Sequence, residues 1–432
     1  MFDTERARQV PAATELDRVS RRSDLTAQAI NIVVGSSIFV LPGIVAGQIG
    51  AWAPVAVIAA SVGVFLVALS FADAAGRYRE AGGPYRYASD AFGDYVGAQI
   101  GFLYWVVRAA SSAAVVNVLI TYLAEFWPSA TASGWRVALF AVVVFGSAAL
   151  NIVGTRRTVS VLNIFTVGKV LTLAALGVVA MVMLRGGVPA FDAVPAPGAW
   201  ARATLLWIFS FGGFEATLIT AAEARDPTRD GPRALIAGVG IVALLYVVLQ
   251  WMVAATPGAA TATRPLGEAA RYLIGNPGAT LVAVAALVAT SGHVPGSMFA
   301  ASRLTYAMAE RAALPASLAR IHRRFRTPYV SILTFACVVW VLGVSGSFVW
   351  NASLSALARL IVYACTSLGV LRLGTRRPST FPVPRWVHVA ALAFCGWLLS
   401  SSTWTEGLAV GAVWAVGSLL WLGRGIWRRV AA

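Results

Sequence analysis

The stretch NIVVGSSIFVLPG, from Asn31 to Gly43, decides how this sequence folds. It lies inside an apolar run of about 20 residues, the length that crosses a bilayer as an α-helix. Within it stand residues that weaken a helix or carry a hydroxyl group: Gly35, Ser36, Ser37 and Pro42. In lipid, non-helical backbone is tolerated only where protein buries it or where it lines a cavity. The pattern therefore predicts a spanning helix that is broken so that its freed backbone groups can hold a polar solute.

The composition predicts an all-α integral membrane protein. The chain has 432 residues, of which 58% are hydrophobic and 12% are charged, with a mean hydropathy of +0.74. Soluble domains carry about 25% charged residues. The apolar runs predict twelve transmembrane helices at 25–50, 54–76, 94–126, 135–153, 158–184, 201–223, 234–256, 278–309, 328–346, 353–373, 385–401 and 406–424.

The basic residues predict the orientation of these spans. The chain has 34 Lys plus Arg against 18 Asp plus Glu, a formal net charge of +16, and Lys169 is its single lysine. If odd-numbered spans run outward, 26 arginines fall on the cytoplasmic side and five on the other side. This is the positive-inside asymmetry, and it predicts a multi-pass protein of the plasma (inner) membrane with both termini in the cytoplasm. The charge orients the protein in the lipid bilayer, so we expect no nucleic-acid partner.

A second interruption lies five spans after the first, where Gly212 and Gly213 divide WIFSFGGFEATLI in span 6. The first half, spans 1–5, begins on the cytoplasmic side, and the second half, spans 6–10, begins on the opposite side. The two halves therefore have opposite orientation. Paired glycine-interrupted segments at matching positions indicate an inverted-repeat transporter and its binding site. The alternative is that such glycines only allow close helix packing, as in the GxxxG motif of Gly43 and Gly47. Because the two interruptions lie at matching positions of the two halves, breaks in both helices are favoured over simple close packing.

These features predict the division of the chain. The predicted parts are a tail at 1–23, a first five-helix repeat at 24–184, a second, inverted five-helix repeat at 200–373, two more helices at 384–425 and a tail at 426–432. The three cysteines lie in apolar segments without metal-ligand spacing. We therefore expect no metal site and no cofactor.

Four ordered motifs carry a resemblance to a known family. They are GSSIFVLPG in span 1, EAGGPYRYASDAFGDYVGAQIGFLYW in the loop after span 2, FSFGGFEATLITAAEARDPTRDGPRA at span 6 and AASRLTYAMAERAALP at the end of span 8. With these motifs the chain resembles, essentially end to end, amino acid transporters of the amino acid–polyamine–organocation superfamily. The resemblance implies a leucine-transporter-like fold, with a 5+5 inverted repeat, discontinuous helices 1 and 6, and two C-terminal helices.

The resemblance also implies where a substrate amino acid binds. The implied substrate-binding residues lie at the two breaks and in span 3: Val33, Gly35, Ser36, Ser37, Ile38, Phe209, Phe211, Gly212, Gly213 and Ser112. The amides of Ser36, Ser37 and Ile38 open the second half of span 1, where N–H groups and the helix dipole favour a carboxylate. Ser37 replaces the second glycine of the family's Gly-Ser-Gly motif, so it adds a hydroxymethyl group to the pocket.

The ammonium group of the substrate has a separate implied site. The unwound carbonyls of Val33, Phe209 and Gly212 would receive it. Phe209 and Phe211 flank the break, and by the same resemblance the ring of Phe209 would close over the substrate. The alternative is that Phe209 simply faces lipid or the protein core.

Several ionisable residues lie within predicted spans, where such residues are costly and mark functional sites by default. Glu215 follows the second break and is a candidate for coupling or gating, or for a structural hydrogen bond. Arg108 in span 3 could attract anionic substrates, but pairing with an acidic group such as Glu215 is the favoured interpretation. His293 lies in span 8. A lone histidine on an apolar helix is more often a structural group than a proton relay.

Lys169 lies near the middle of span 5. Lysine shifts its pKa readily on burial, whereas arginine stays protonated. By resemblance, its ammonium occupies the place where sodium-coupled relatives of this fold bind a cation. We expect Lys169 to contact the carbonyls freed near Gly35 and to make transport independent of sodium, with proton coupling left open.

The sequence therefore favours a secondary transporter of an amino acid, with no P-loop signature for ATP hydrolysis. A polyamine or cationic amino acid carrier would need acidic side chains in the pocket, and Glu215 is the one candidate near the breaks, so a neutral substrate fits better. A membrane enzyme would need a catalytic constellation, and the three histidines lie far apart. A nutrient sensor would need a signalling domain, for which both tails are short. Import, export, exchange and a homodimer all stay open.

Overall fold

The computed structural model describes residues 22–78, 83–153, 156–184, 193–215, 227–310, 313–374 and 378–423, and for residues 156–169 it describes the backbone alone. The predicted tails, apart from residues 22 and 23, lie outside these ranges. Within them we number the α-helices α1 (Arg22–Val33), α2 (Leu41–Ile49), α3 (Ala53–Ala75), α4 (Gly83–Phe92), α5 (Asp94–Leu123), α6 (Ser133–Val153), α7 (Arg156–Met183), α8 (Pro197–Phe211), α9 (Pro227–Ala255), α10 (Pro265–Ile274), α11 (Asn276–Glu310), α12 (Tyr329–Ser345), α13 (Phe348–Leu373), α14 (Arg385–Leu399) and α15 (Trp404–Leu422).

The helices follow the apolar runs of the sequence. Among the described residues, seven helices are long and apolar enough to cross a membrane, and three shorter apolar helices accompany them at Val170–Met183, Tyr329–Ser345 and Arg385–Leu399. The protein is therefore an all-helical, multi-pass membrane protein. The count of twelve spans and the inverted repeat of five helices stay predictions.

The first predicted span is interrupted at the expected place. Helix α1 ends at Val33, residues 34–36 are not helical, Ser37–Phe39 form one 3₁₀ turn, and α2 begins at Leu41. Pro42 lies in the first turn of α2, where its missing N–H costs nothing because those amides have no partner within the helix. The glycine and serines thus end one helix, and the proline favours the start of the next.

The second interruption follows α8, which ends at Phe211. Gly212 is extended, with φ −63° and ψ 146°, and Gly213 has φ 113°. A side chain at Gly213 would be strained, since positive φ is open mainly to glycine. The further course of the predicted span 6, residues 216–226, lies outside the described residues.

The two interruptions lie inside the helix bundle. Helix α8 contacts α2, α3 and α13, while α1 and α3 both pack against α9, and α5 packs against α11 and α13. Val33, Ile38 and Phe211 are fully buried. Broken backbone at this depth is therefore enclosed by protein and not by lipid, which is the condition for tolerating it.

Two short helices lie in segments that were read as connections between spans. The motif after span 2 forms α4, which packs against α5 and α13. Helix α10 covers part of the segment between predicted spans 7 and 8 and contacts α2. Both are ten residues long and amphipathic, so a search for 20-residue apolar runs passes over them.

Candidate functional site

The two helix interruptions touch each other. The hydroxyl groups of Ser37 and Ser210 lie 2.8 Å apart and are hydrogen-bonded, and both serines are buried. Ser37 belongs to the 3₁₀ turn of the first break, and Ser210 lies two residues before Gly212. The fold thus joins the two segments that the sequence singled out separately.

Tyr246 of α9 bridges the same two segments from behind. Its hydroxyl oxygen lies 2.9 Å from the carbonyl oxygen of Val33 and 3.3 Å from that of Ser210, so its single proton is shared between them. Its ring packs against Phe211, with centroids 5.1 Å apart. Val33 was expected to offer its carbonyl to a substrate ammonium group. The amide of Gly35 also donates to this carbonyl at 2.7 Å, so both of its lone pairs are already used by the protein.

Two more side chains bind carbonyls of the first broken helix. Gln250 donates from Nε2 to the carbonyl of Pro42 at 3.0 Å, and the hydroxyl of Tyr122 donates to the carbonyl of Phe39 at 2.6 Å. Gln250 and Tyr246 are four residues apart and therefore lie on one face of α9. Sequence reasoning missed this face, although a tyrosine and a glutamine at helical spacing in an apolar span were its signal.

The backbone N–H groups at the start of the second half of span 1 lack backbone partners in the described part of the chain. Gly35 N–H donates to the carbonyl of Val33 at 2.7 Å, and Phe39 N–H donates to that of Ser36 at 3.2 Å. Between them, the amides of Ser36, Ser37 and Ile38 form no backbone hydrogen bond with the described residues. The hydroxyl oxygen of Ser36 is buried and has no hydrogen-bond partner in that part of the chain. Donors in this arrangement, next to a helix N-terminus, suit an anion such as a carboxylate.

A buried ion pair lies at the second break. Nη1 of Arg359, in α13, is 3.1 Å from Oε1 of Glu215. Oε2 of the same carboxylate accepts from the hydroxyl of Tyr363 at 3.2 Å and from the amide of Gly213 at 3.1 Å. Glu215 is 1% exposed and Arg359 is 5% exposed. Both oxygens of this carboxylate are therefore occupied by donors of the protein itself.

Gly212 makes room for this ion pair. A Cβ atom at Gly212 would overlap the guanidinium group of Arg359. The second break thus carries one glycine for a positive φ, at Gly213, and one for close approach of a charged side chain.

The prediction that Arg108 pairs with Glu215 is wrong. Arg108 is half-buried on α5, its Nη2 donates to the hydroxyl of Tyr104 at 3.1 Å, and its guanidinium carbon lies 5.0 Å from the centroid of that ring. Glu215 pairs with Arg359 instead. Arg359 was visible in the sequence as an intramembrane charge, but its distance of 144 residues from Glu215 gave no local signal.

The remaining predicted site residues are placed as follows. Phe209 is buried and packs edge-to-face against Phe348 at the start of α13, with ring centroids 5.8 Å apart. The hydroxyl of Ser112 is buried on α5 without a hydrogen-bond partner in the described ranges. Helix α7 runs through Lys169 and contacts α1 and α11, but the Lys169 side chain lies outside the described residues. His293 is half-buried in α11.

Comparison with known proteins gives consistent matches over nearly the whole chain. A family profile described as amino acid permease matches residues 22–419. An uncharacterized transporter of Mycobacterium tuberculosis is 29% identical over 412 residues, which cover 92% of this chain and 90% of that protein. The serine/threonine exchanger SteT of Bacillus subtilis is 24% identical, covering 90% of this chain and 92% of the exchanger. The large neutral amino acids transporter small subunit 2 of Mus musculus is 27% identical, covering 88% and 75% respectively.

Proposed function

Because the chain belongs to the amino acid permease family, we propose that it carries a neutral amino acid across the plasma membrane. It does so as a sodium-independent secondary transporter that works by alternating access. The observation that carries this proposal is the junction of two broken helices through Ser37 and Ser210. That junction brings backbone donors and backbone acceptors together in the interior of an apolar bundle.

The junction suits the two ends of a zwitterion. The amides of Ser36, Ser37 and Ile38 receive the carboxylate of the substrate, while the carbonyls of Phe209 and Gly212 at the second break receive its ammonium group. Placing both charges against preoriented dipoles offsets the cost of removing them from water, which is large for an unpaired charge. The hydroxyls of Ser36 and Ser37 make the carboxylate end more polar.

The charge balance of the second break supports a neutral side chain on the substrate. Glu215 is the one acidic residue near the breaks in the described part of the chain, and Arg359 already neutralises it. A polyamine or cationic amino acid, the alternative substrate class, would find no free carboxylate there. Two relatives are named for serine and threonine or for large neutral amino acids, which agrees with a neutral substrate. Because one of these is named an exchanger, exchange of one amino acid for another is the alternative mode of transport.

A panel of amino acids tests the proposal directly. We expect neutral amino acids to raise the unfolding temperature of the purified protein, since a ligand at 100 times its Kd stabilises the folded state by about 2.7 kcal/mol. The same compounds should be taken up into proteoliposomes, and esterifying the carboxylate of the best ligand should abolish its competition. Uptake that the ester inhibits as well as the free amino acid does would refute the carboxylate site.

Variants at the two breaks provide the second arm. Ser36→Leu and Gly213→Leu should abolish uptake, because the first fills the carboxylate site and the second strains the backbone at φ 113°. Gly240→Leu is the matched control, since Gly240 is an exposed helix glycine with open space around its Cβ position. Normal transport by both break variants would mean that the interruptions serve packing alone.

A further inference from the structure

The ion pair at the second break is built as a closed electrostatic unit. Glu215 accepts from Arg359, from the hydroxyl of Tyr363 and from the amide of Gly213, at distances of 3.1–3.2 Å. The ring of Tyr363, which donates to Glu215, packs against two buried phenylalanines: the centroid of Phe71 lies 5.4 Å and that of Phe214 lies 5.2 Å from it. Because Glu215 is buried, its carboxylate attracts a cation more strongly than it would in water.

The position of the Arg359 guanidinium is specific to the break. It occupies the volume that any side chain at residue 212 would fill, directly beside a backbone that has left the helix. This is the segment whose carbonyls we assign to the substrate ammonium group. The guanidinium therefore contacts both the backbone of the break at Gly212 and the carboxylate of Glu215.

A role in stability alone does not explain this arrangement. Buried ion pairs contribute little net stability, because desolvation offsets the attraction between the charges. Structural arginines have their donors satisfied when buried, yet the buried Nε–H of Arg359 has no hydrogen-bond partner among the described residues. The side chain contacts Glu215 and the hydroxyl of Tyr363, which itself donates to Glu215, and the charge it neutralises is that of Glu215.

We propose that Arg359 is a specificity-determining residue, a built-in cation that neutralises Glu215 and thereby excludes cationic amino acids and polyamines from the site. The proposal rests on the proposed function, because it presumes that the junction of the breaks binds an amino acid. Arginine suits this role better than lysine because its guanidinium keeps its charge when buried. Without the Arg359 side chain, the buried carboxylate of Glu215 has no cation beside it, and the space that the guanidinium group filled is free.

Competition experiments in proteoliposomes test the proposal. Uptake of the best neutral amino acid is measured with arginine and agmatine as competitors, for the wild type, Arg359→Gln, Arg359→Lys and Glu215→Gln/Arg359→Gln. We expect agmatine to inhibit Arg359→Gln at a concentration about 10- to 100-fold lower than the wild type, the range for a hydrogen bond to a charged group. Arg359→Lys should exclude agmatine as the wild type does. The double variant should lose the new sensitivity, because no carboxylate remains.

Arg372→Gln is the matched control, since Arg372 is an exposed arginine in the last turn of the same helix. An unchanged competitor profile in Arg359→Gln, or equal agmatine sensitivity in the double variant, overturns the proposal. A wild type that takes up no neutral amino acid contradicts the proposed function instead, so the two failures are distinguishable.

A binding measurement covers the case in which Arg359→Gln transports nothing or is poorly recovered. Arg359→Gln is purified with and without agmatine, and its unfolding temperature is compared with that of the double variant. We expect agmatine to raise the recovery and the unfolding temperature of Arg359→Gln alone. Absence of any agmatine effect, including failure to recover the variant in its presence, overturns the proposal.

Discussion

At the scale of single residues, the hydroxyl of Tyr246 has the broadest structural role in the site. A helix that stops inside a membrane protein leaves carbonyl groups without partners. Tyr246 donates to the carbonyl of Val33, which ends the first broken helix, and lies within reach of the carbonyl of Ser210 in the second. One side chain thus contacts both interrupted segments and fixes their positions relative to each other.

Tyr246→Phe tests this role with the smallest possible change. We expect it to lower the free energy of unfolding by about 0.5–1.5 kcal/mol, because the change removes one buried hydrogen bond while the ring packing and the bond from Gly35 N–H to the Val33 carbonyl are kept. Thermal unfolding of the purified protein measures the effect. Tyr272→Phe, at a tyrosine that is 59% exposed, is the control and should change little. Equal effects of the two substitutions would mean that the Tyr246 hydroxyl contributes nothing.

At the scale of elements, the end of α8 shows how two neighbouring glycines serve different purposes. Gly213 has a backbone conformation that other residues rarely adopt, whereas Gly212 has an ordinary extended conformation, φ −63° and ψ 146°. Gly212 is needed for space, because the guanidinium of Arg359 lies where a Cβ atom would be. The break is therefore shaped as much by α13 as by the local sequence of α8.

Gly212→Ala separates space from backbone freedom. Alanine fits the Gly212 dihedral angles, so any loss arises from displacing Arg359 from Glu215. We expect a destabilisation of about 3–5 kcal/mol, the cost of separating a buried ion pair, together with loss of neutral amino acid uptake. Gly240 is exposed and lies in the middle of α9. Gly240→Ala should leave uptake intact and should stabilise the helix by up to about 1 kcal/mol. A Gly212→Ala protein as stable as the wild type would show that the guanidinium moves aside freely.

At the scale of the whole molecule, buried polar contacts attach the last two helices to the rest of the bundle. Asp73, at the end of α3, binds Nε2 of His388 in α14 at 3.1 Å, and Ser70 binds the other ring nitrogen at 2.9 Å. In α15, Glu406 forms a two-point ion pair with Arg202 of α8, with both N–O distances 2.8 Å. Because Arg202 lies on the helix that ends at the second break, this ion pair links that helix directly to α15.

The prediction for the coupling ion also belongs to the scale of the whole molecule, because Lys169 lies on α7, which contacts α1 and α11. We expect uptake to persist when choline replaces sodium, to respond to pH, and to be lost or to lose its pH response in Lys169→Ala. Lys169→Arg should also lose the pH response, because arginine stays protonated. Uptake at several pH values with and without sodium is the measurement. Strict sodium dependence of the wild type, or unchanged pH-dependent uptake by Lys169→Ala, would contradict the prediction.

The amino-acid sequence by itself determined the membrane class, the family and the places where two helices stop. The family resemblance is confirmed by the profile match over residues 22–419, and the helix ends at Val33 and Phe211 lie where the glycines and serines predicted them. These properties are local: hydropathy over about 20 residues decides a span, and glycine and proline act on their own backbone and their nearest neighbours.

Only the tertiary structure decided which side chains meet at the breaks. The partner of Glu215 is 144 residues away in the chain, and Tyr246 is 213 residues from the carbonyl it binds. Sequence reasoning paired Glu215 with Arg108, since both are charged and lie in spans, but helix packing turns Arg108 toward Tyr104 and brings Arg359 to the second break. Which face of a helix meets which neighbour depends on the packing of the whole bundle. No local pattern of residues carries that information.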